Sequence, residues 1–273
     1  MGSITKALTG LVIADSVQRG EIRLDAPVSS YLSQLRGDPA GDVTVGELVT
    51  HHSGYSEFGS ATFRRAAWAS LLGRNWINTD LNEVMQEARA DDLPSRGSYS
   101  YSTLGTAIAG QAAAAAASLS YPDLMRTRLF EPLGMRNTAI QAASALVDPG
   151  HSREGLSEQP WVFGGYAPGG GAVSTAADMS LLATALLNGT APGMDALNPI
   201  AASDIANKQL GTFWQISHWP NDQVITWHNG TTAGYTSYLG LDRQHHTAVI
   251  VLSDISLDPE TTDLGAQLLT GDR

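Results

Sequence analysis

A serine and a lysine stand three residues apart near the start of the chain, in the segment SITK at residues 3–6. Serine attacks a carbonyl carbon effectively only when a neighbouring base takes its proton. On a helix, Ser3 and Lys6 would share one face, and the N–H of a serine at the helix N-terminus would point toward a developing oxyanion. Lys6 could act as the base only if burial and neighbouring groups lowered its pKa from about 10.4 toward neutrality. A chain of this length contains roughly one such tetrad by chance, so other segments must supply the rest of a site.

Two later segments carry residue types that would complete such a site. In SYSYSTLG, Tyr101 and Thr103 stand where a polar loop leads into a predicted helix. In TWHNGTTAG, His228 ends a predicted strand, and Gly230 would let a substrate come close to the backbone. The N–H of Thr231 would then serve as a second oxyanion donor. Together these are the residue types that acyl transfer through a serine nucleophile needs. The alternative from the residues alone is an N-cap serine, a solvated lysine and a strand-end histidine bonded to a neighbour.

The secondary-structure elements that must position these residues are predicted to be mainly helices at first and mainly strands in the last quarter of the chain. Residues 4–17 and the segment with the alanine run 112–117 favour helices, and a further helix is predicted to start at an N-cap on Ser174 or Thr175. In the last quarter, four β-rich runs are separated by Pro-Asn-Asp, Asn-Gly and Asp-Arg-Gln turn signals. This pattern predicts an antiparallel meander that is followed by a closing helix.

The order of these elements predicts an α+β fold in a single domain over residues 1–273. A helical region, at about 21–190, would pack against an α/β region made of residues 1–20 and about 208–273.

The ordered motifs resemble those of the serine hydrolases that comprise class C β-lactamases, D-alanyl-D-alanine carboxypeptidases and family VIII carboxylesterases. That family carries Ser-x-x-Lys, Tyr-x-Asn and Lys-or-His-x-Gly in this order. Here the first motif is SITK and the third is HNG. The resemblance extends from residue 2 to the end through the segments GEIRLDAPVSSYL, ELVTHHSG, LFEPLGMRNT, GGGAVSTAADMSLL and HNGTTAGYTSYLGLD. It implies a β-lactamase/penicillin-binding-protein-like fold, with an antiparallel sheet flanked by helices.

The resemblance also implies a role for each matching residue. Ser3 would attack the carbonyl carbon and become acylated, and Lys6 would take its proton. Tyr101 would share the role of base or protonate the leaving group, and His228 would position the substrate or support Tyr101. The N–H groups of Ser3 and Thr231 would bind the oxyanion. A histidine in the third motif favours esters or peptides over β-lactams, so weak turnover of β-lactams is expected.

The second motif departs from the family pattern. Thr103 stands in the place of the motif's asparagine. The threonine offers a hydroxyl, but it lacks the amide of asparagine, which can donate and accept hydrogen bonds at once. Placing the motif's tyrosine at Tyr99 is an alternative, but YSTLG fits the family better with Tyr101. The expected function is hydrolysis of small carboxylic esters or of D-amino-acid-type peptide and amide bonds. The alternative is a catalytically impaired, truncated homologue that serves as a penicillin- or peptide-binding module.

The N-terminal segment is shorter than the resemblance implies. Members of the family carry some tens of residues before the serine, including strands that pair with the C-terminal sheet. The run TAVIVL at residues 247–252 is apolar at consecutive positions, which is typical of a strand buried on both faces. We therefore expect a truncated chain or a sheet completed by another molecule, with homo-oligomerisation through an exposed sheet edge as one outcome. The resemblance favours an extracytoplasmic, periplasmic or secreted location.

Composition narrows the classes of partner. The net charge is −11 and lysine occurs only at positions 6 and 208, so the basic cluster that nucleic-acid binding needs is absent. The chain has no cysteine, which excludes disulfides and thiolate metal sites. No run approaches 18 apolar residues, so no membrane span is expected. The expected partner is a small ester or peptide substrate.

No cofactor or metal is expected. Adjacent histidines at 51–52 and 245–246 point apart on an extended chain, and the first of them is expected to brace its loop. GGGAVST lacks the spacing of a phosphate-binding loop and is expected to line the cleft. Trp161, Phe163 and Tyr166 are expected in the core or at the cleft rim, where they could form an apolar wall for an acyl group.

Overall fold

The structure is a computed structural model that describes residues 1–70, 75–140, 148–219 and 222–271. The helices are α1 (Ile4–Gln18), α2 (Val45–Val49), α3 (Ser60–Ser70), α4 (Leu81–Arg89), α5 (Thr103–Ala116), α6 (Tyr121–Met125), α7 (Ala167–Gly170), α8 (Ala176–Leu187) and α9 (Pro259–Thr270). The strands are β1 (Ala139–Ile140), β2 (Gly150–His151), β3 (Ser157–Glu158), β4 (Ala172–Val173), β5 (Ala201–Ala202), β6 (Lys208–Leu210), β7 (Gln215–His218), β8 (Val224–Thr232), β9 (Tyr235–Asp242) and β10 (Thr247–Ser253). These elements confirm the α+β fold.

Helix starts follow local capping chemistry. The Ser102 hydroxyl accepts a hydrogen bond from the N–H of Gly105 at 2.7 Å, which begins α5 directly after Tyr101. Of the two candidate caps of α8, Ser174 and Thr175, the cap is Thr175, whose hydroxyl accepts a hydrogen bond from the N–H of Asp178. These caps satisfy backbone donors that would otherwise lack partners at the helix ends.

The main sheet has the order β10-β9-β8-β7-β6-β5, and all neighbours are antiparallel. This arrangement confirms the predicted meander. The Pro-Asn-Asp signal falls mostly on residues 220–221, outside the described residues.

The turn predicted at Asn229 and Gly230 is wrong. Both residues lie inside β8, where Asn229 pairs with Tyr238. The chain reverses instead at residues 233–234, and Gly234 supplies the left-handed backbone with φ of 76°. Gly230 remains in the strand because its missing side chain leaves room for another part of the chain, described below.

Helix α1 lies at the centre of the molecule. Its residues from Ile4 to Ser16 are all buried, and the main core cluster includes its Leu8 and Leu11 together with Ile108 of α5 and Leu239 of β9. The helix is therefore enclosed by both the helices and the sheet, and its N-terminal turn is fixed between them. No helix in the described residues is long and apolar enough to cross a membrane.

Strand β10 forms one edge of the described sheet and pairs with β9. Ala248 and Ile250 pack against the main core, while Val249 and Val251 pack against a second cluster, so both faces of the strand contact apolar residues. The contact is partial, since Leu252 is 42% exposed. Self-association through this edge stays a prediction.

The enclosure of α1 predicts a contrast between two leucine substitutions. Leu8→Ala should lower the free energy of unfolding by about 2–5 kcal/mol, because Leu8 is 0% exposed and its loss leaves a cavity. Leu268→Ala on α9 should change it by only about 0.5 kcal/mol, because that side chain is 59% exposed. Urea denaturation of both variants measures the difference, and equal effects would contradict the central placement of α1.

Candidate active site

The predicted nucleophile and base meet at the start of α1. Ser3 is the N-cap residue, and Lys6 Nζ lies 3.1 Å from Ser3 Oγ. The Lys6 side chain is fully buried, and its Nζ also donates a hydrogen bond of 2.7 Å to the carbonyl oxygen of Gly169. The candidate nucleophile and the candidate base are thus within hydrogen-bond reach, as proton transfer requires.

Burial changes the protonation of this lysine. Removal from water disfavours the ammonium form and lowers the pKa of Lys6 to about 7, although the negative charge of Glu57 partly opposes the shift. A lysine with this pKa is about half neutral at pH 7 and has a lone pair available for the proton of Ser3. Lys6 thus has the lowered pKa that the role of base requires.

Tyr101 is packed against the same pair. Lys6 Nζ lies over its ring, 4.8 Å from the centroid. Burial raises the pKa of Tyr101, and a hydrogen bond with Ser3 lowers it by less. The hydroxyl therefore stays protonated at neutral pH, which favours proton donation over the role of base.

His51 holds Tyr101 in place. Its ring lies 4.7 Å from the Tyr101 ring, between centroids, and its Nδ1 accepts a hydrogen bond from the N–H of Ser102 at 3.2 Å. The acceptor role requires an unprotonated Nδ1, and burial lowers the pKa of His51 well below its ordinary value. His51 also adopts a left-handed backbone with φ of 60°. The histidine expected to brace its loop also supports the tyrosine.

The candidate oxyanion donors are brought together by two glycines. A Cβ built on Gly230 would come within 2.6 Å of the Ser3 nitrogen, and one built on Gly2 would come within 2.6 Å of the Thr231 nitrogen. Gly2 also has a φ of 56°, which favours glycine. The end of β8 and the start of α1 are thus in direct backbone contact, and the N–H groups of Ser3 and Thr231 lie close to each other.

His228 lies behind the cavity wall rather than on it. The side chain is 3% exposed, and its Nδ1 lies 2.6 Å from the carbonyl oxygen of Asn229, which makes Nδ1 the protonated nitrogen. Its Nε2 is buried and has no partner among the described residues. Burial lowers the pKa of His228 to about 4, so the ring is neutral at pH 7. This placement fits support of the site better than contact with a substrate.

Thr103 lines the cavity but does not bond to the base. The hydrogen bonds of Lys6 Nζ go to Ser3 and Gly169. The Thr103 methyl group faces Gly169, where an added Cβ would approach it to 2.5 Å. The threonine in place of the family's asparagine therefore fills space beside the glycine loop and leaves the lysine with other partners.

These residues border a cavity of about 360 Å³. It is lined by Ser3, Lys6, Glu57, Phe58, Trp76, Tyr101, Thr103, Trp161, Phe163, Gly169, Gly170, Asn229, Gly230 and Thr231. The expectation that the glycine loop lines the cleft is confirmed. Trp161 and Phe163 are part of the wall, whereas Tyr166 is fully buried in the core.

Sequence reasoning missed three lining residues, Glu57, Phe58 and Trp76. They precede or follow helix α3, in a stretch with an irregular pattern and no motif of its own. Their role follows from packing, since Phe58 and Trp76 contact edge to face with ring centroids 5.0 Å apart. The available signal was a cluster of aromatic residues in a long connection, which is a common place for binding residues.

Comparison with known proteins identifies the family. A family model described as Beta-lactamase matches residues 1–270. The chain belongs to this family. Over 269 residues it is 28% identical to penicillin-binding protein 4 of Amycolatopsis lactamdurans, and the alignment covers 87% of this chain and 67% of that protein. It is also 28% identical to a beta-lactamase of Escherichia coli strain K12 over 146 residues, which covers 53% of this chain and 35% of that one.

Solved structures confirm the β-lactamase/penicillin-binding-protein-like fold. A D-stereospecific amidohydrolase from Streptomyces sp. superimposes with a TM-score of 0.81 at 20% identity, covering 100% of this chain and 86% of that one. A class C beta lactamase from Rhodobacter sphaeroides gives 0.78 at 22% identity, covering 96% and 81%. At these identities the likeness concerns the fold.

The pKa of Lys6 predicts a pH dependence for attack by Ser3. The lysine accepts a proton only when it is neutral, so the rate at which a p-nitrophenyl ester acylates the protein should be low in acid and rise through about pH 7. It should then level off, because further deprotonation adds no base. Stopped-flow release of p-nitrophenol across this range measures the profile. A midpoint near the ordinary pKa of lysine, about 10.4, would contradict the assignment of Lys6.

Proposed function

We propose that the protein is a serine hydrolase that works through an acyl-enzyme on Ser3. The observation that carries the proposal is the 3.1 Å contact between Ser3 Oγ and Lys6 Nζ, in surroundings that lower the pKa of Lys6 to about 7. A nucleophile with an adjacent neutral base is what acyl transfer requires. The names of similar proteins, which include penicillin-binding protein, beta-lactamase and D-stereospecific amidohydrolase, also support it.

In the acylation step, the proton of Ser3 passes to Lys6 Nζ while Oγ forms a bond to the substrate's carbonyl carbon. The carbonyl oxygen becomes negative and is bound by the N–H groups of Ser3 and Thr231. Tyr101 then donates its hydroxyl proton to the leaving alkoxide or amine and regains one from Lys6. The bond between the carbonyl carbon and the leaving group breaks, which leaves the acyl group on Ser3.

Deacylation repeats the chemistry with water. A water molecule gives a proton to neutral Lys6 and forms a bond to the acyl carbon. The bond to Ser3 Oγ then breaks, and the serine recovers its proton from the lysine. The cycle returns the protein to its starting state and releases a carboxylic acid.

The proposed substrates are small carboxylic esters or D-amino-acid-type amides, with weak turnover of β-lactams. The third motif supports this choice, because His228 is neutral and buried behind the wall, so that position presents no cation to the carboxylate that β-lactams carry. The cavity of about 360 Å³ is in the size range of sites for small molecules.

The first test is the variant Ser3→Ala. Wild-type protein should gain the mass of one fluorophosphonate adduct and hydrolyse short-chain p-nitrophenyl esters, whereas Ser3→Ala should do neither. The control is Ser33→Ala, an exposed serine on the short 3-10 turn Ser33–Leu35, which should behave as wild type. If the folded wild-type protein forms no adduct, the catalytically impaired binding module becomes the better interpretation.

A second test removes only the Tyr101 hydroxyl. Tyr101→Phe keeps a ring beside His51 and Lys6 but loses the proton donor, so kcat/KM for esters should fall by about 10²–10⁴-fold. The matched control is Tyr121→Phe, which removes another buried hydroxyl, at 2.7 Å from Thr9 Oγ1 and outside the cavity lining. That variant should lose about 1 kcal/mol of stability and keep its kcat/KM. Equal losses of activity in both would argue against a role for Tyr101 in proton transfer.

A further inference from the structure

The charge that the cavity lining offers to a ligand is mainly negative. Among its described lining residues, the ionisable side chains with carboxyl, amino or guanidinium groups are Lys6 and Glu57. The Lys6 ammonium already donates hydrogen bonds to Ser3 and Gly169. Because its pKa is about 7, about half of the molecules carry a neutral Lys6 at pH 7. Glu57 is exposed toward solvent, and its carboxylate has no hydrogen bond or ion pair within the described part of the chain. The free charge offered to a ligand is therefore negative.

The backbone of Glu57 is anchored beside the reacting groups. Its carbonyl oxygen accepts hydrogen bonds from the N–H groups of Thr103 at 2.9 Å and Leu104 at 3.0 Å, in the first turn of α5. Its carboxylate acts electrostatically on both Lys6 and Tyr101, whose pKa values it raises. Glu57 is thus anchored through its backbone and lines the cavity together with Lys6 and Tyr101.

The adjacent wall is aromatic. Phe58, Trp76, Trp161 and Phe163 form a continuous chain, with centroid distances of 5.0 Å, 5.0 Å and 6.2 Å between successive rings. All four line the cavity. Such a wall binds an apolar group by burial, and ring faces also attract cations.

A carboxylate and an aromatic wall side by side suit an acyl group that carries both an ammonium and an apolar side chain. A substrate with a free carboxylate would face repulsion from Glu57 and would find no arginine on the described wall.

We propose that Glu57 binds the ammonium group of the substrate, so that the site takes esters and amides of amino acids with a free amine and an apolar side chain. This inference rests on the proposed hydrolase function and narrows its substrate class. Substrates with a blocked amine, and peptides that must present a free C-terminal carboxylate to the site, are then poor ones.

The test compares p-nitrophenyl esters of three matched acyl groups: phenylalanine in both enantiomers, N-acetylphenylalanine and 3-phenylpropionic acid. Wild-type protein should prefer at least one free amino acid ester over the 3-phenylpropionyl ester by about tenfold or more in kcat/KM, after correction for spontaneous hydrolysis. In Glu57→Gln the ratio should fall toward one, mainly through a higher KM. The matched control is Glu131→Gln, an exposed glutamate outside the cavity lining, which should keep the wild-type ratio.

Charge reversal makes the test sharper. Glu57→Lys should disfavour the free amine and favour a p-nitrophenyl monoester of succinic acid, whose free carboxylate meets the new cation. A wild-type ratio near one, or a ratio that does not respond to either substitution at Glu57, would overturn the inference.

Binding to Ser3→Ala separates this inference from the hydrolase proposal. Calorimetry should show that phenylalanine amide binds at least about tenfold more tightly than 3-phenylpropionamide, and that adding Glu57→Gln removes the difference. If the wild-type protein forms no fluorophosphonate adduct but this preference is present, hydrolysis fails and the amine site stands. If the adduct forms and neither binding nor kinetics prefers the amine, the hydrolase stands and the role of Glu57 is refuted.

Discussion

The burial of Lys6 is the constraint on which the rest of the site depends. A lysine in water is an acid at neutral pH, and only the loss of hydration brings its pKa to about 7. That loss requires α1 to be enclosed from its first turn onward, and both the helices and the sheet pack on it. The central placement of α1 therefore does two things: it buries apolar side chains in the core, and it lowers the pKa of Lys6. Ser3 lies at the N-cap of this helix, a position whose N–H has no partner within the helix and can face a developing oxyanion.

The cavity walls are positioned by hydrogen bonds that connect distant parts of the chain. Thr9 of α1 has its hydroxyl 2.8 Å from the carbonyl oxygen of Pro168, one residue before the carbonyl that binds Lys6. On the other side, the Tyr166 hydroxyl donates to Glu87 at 2.6 Å and accepts from the N–H of Gly59 at 2.9 Å. Tyr166 thus connects the glycine loop with the segment that carries Glu57 and Phe58. The aromatic wall of the cavity and the loop that binds Lys6 are fixed to each other through buried polar contacts.

Much of the site could be predicted from the sequence because its parts belong to local motifs. Ser3, Lys6, Tyr101, Thr103 and the backbone of Thr231 line one cavity, in accordance with their motifs. Of the two roles expected for His228, its placement fits support of the site rather than contact with the substrate, because its ring is buried behind the wall and its Nδ1 bonds to the neighbouring carbonyl. The predicted Asn-Gly turn was wrong for a related reason. The strand extends through Gly230 to reach the start of α1, and this contact between distant segments outweighs the local preference for a turn.

The sequence by itself determined the helix that carries Ser3 and Lys6, the meander that follows, and the order of the reactive residue types. These features depend on periodicity, capping and turn residues within a few positions of one another. Only the tertiary structure decided the protonation state of Lys6, the meeting of Gly2 with Thr231, and the cavity shared by Glu57 with four aromatic rings. Desolvation and long-range contact depend on which surfaces pack together, and that is a property of the whole fold rather than of any segment.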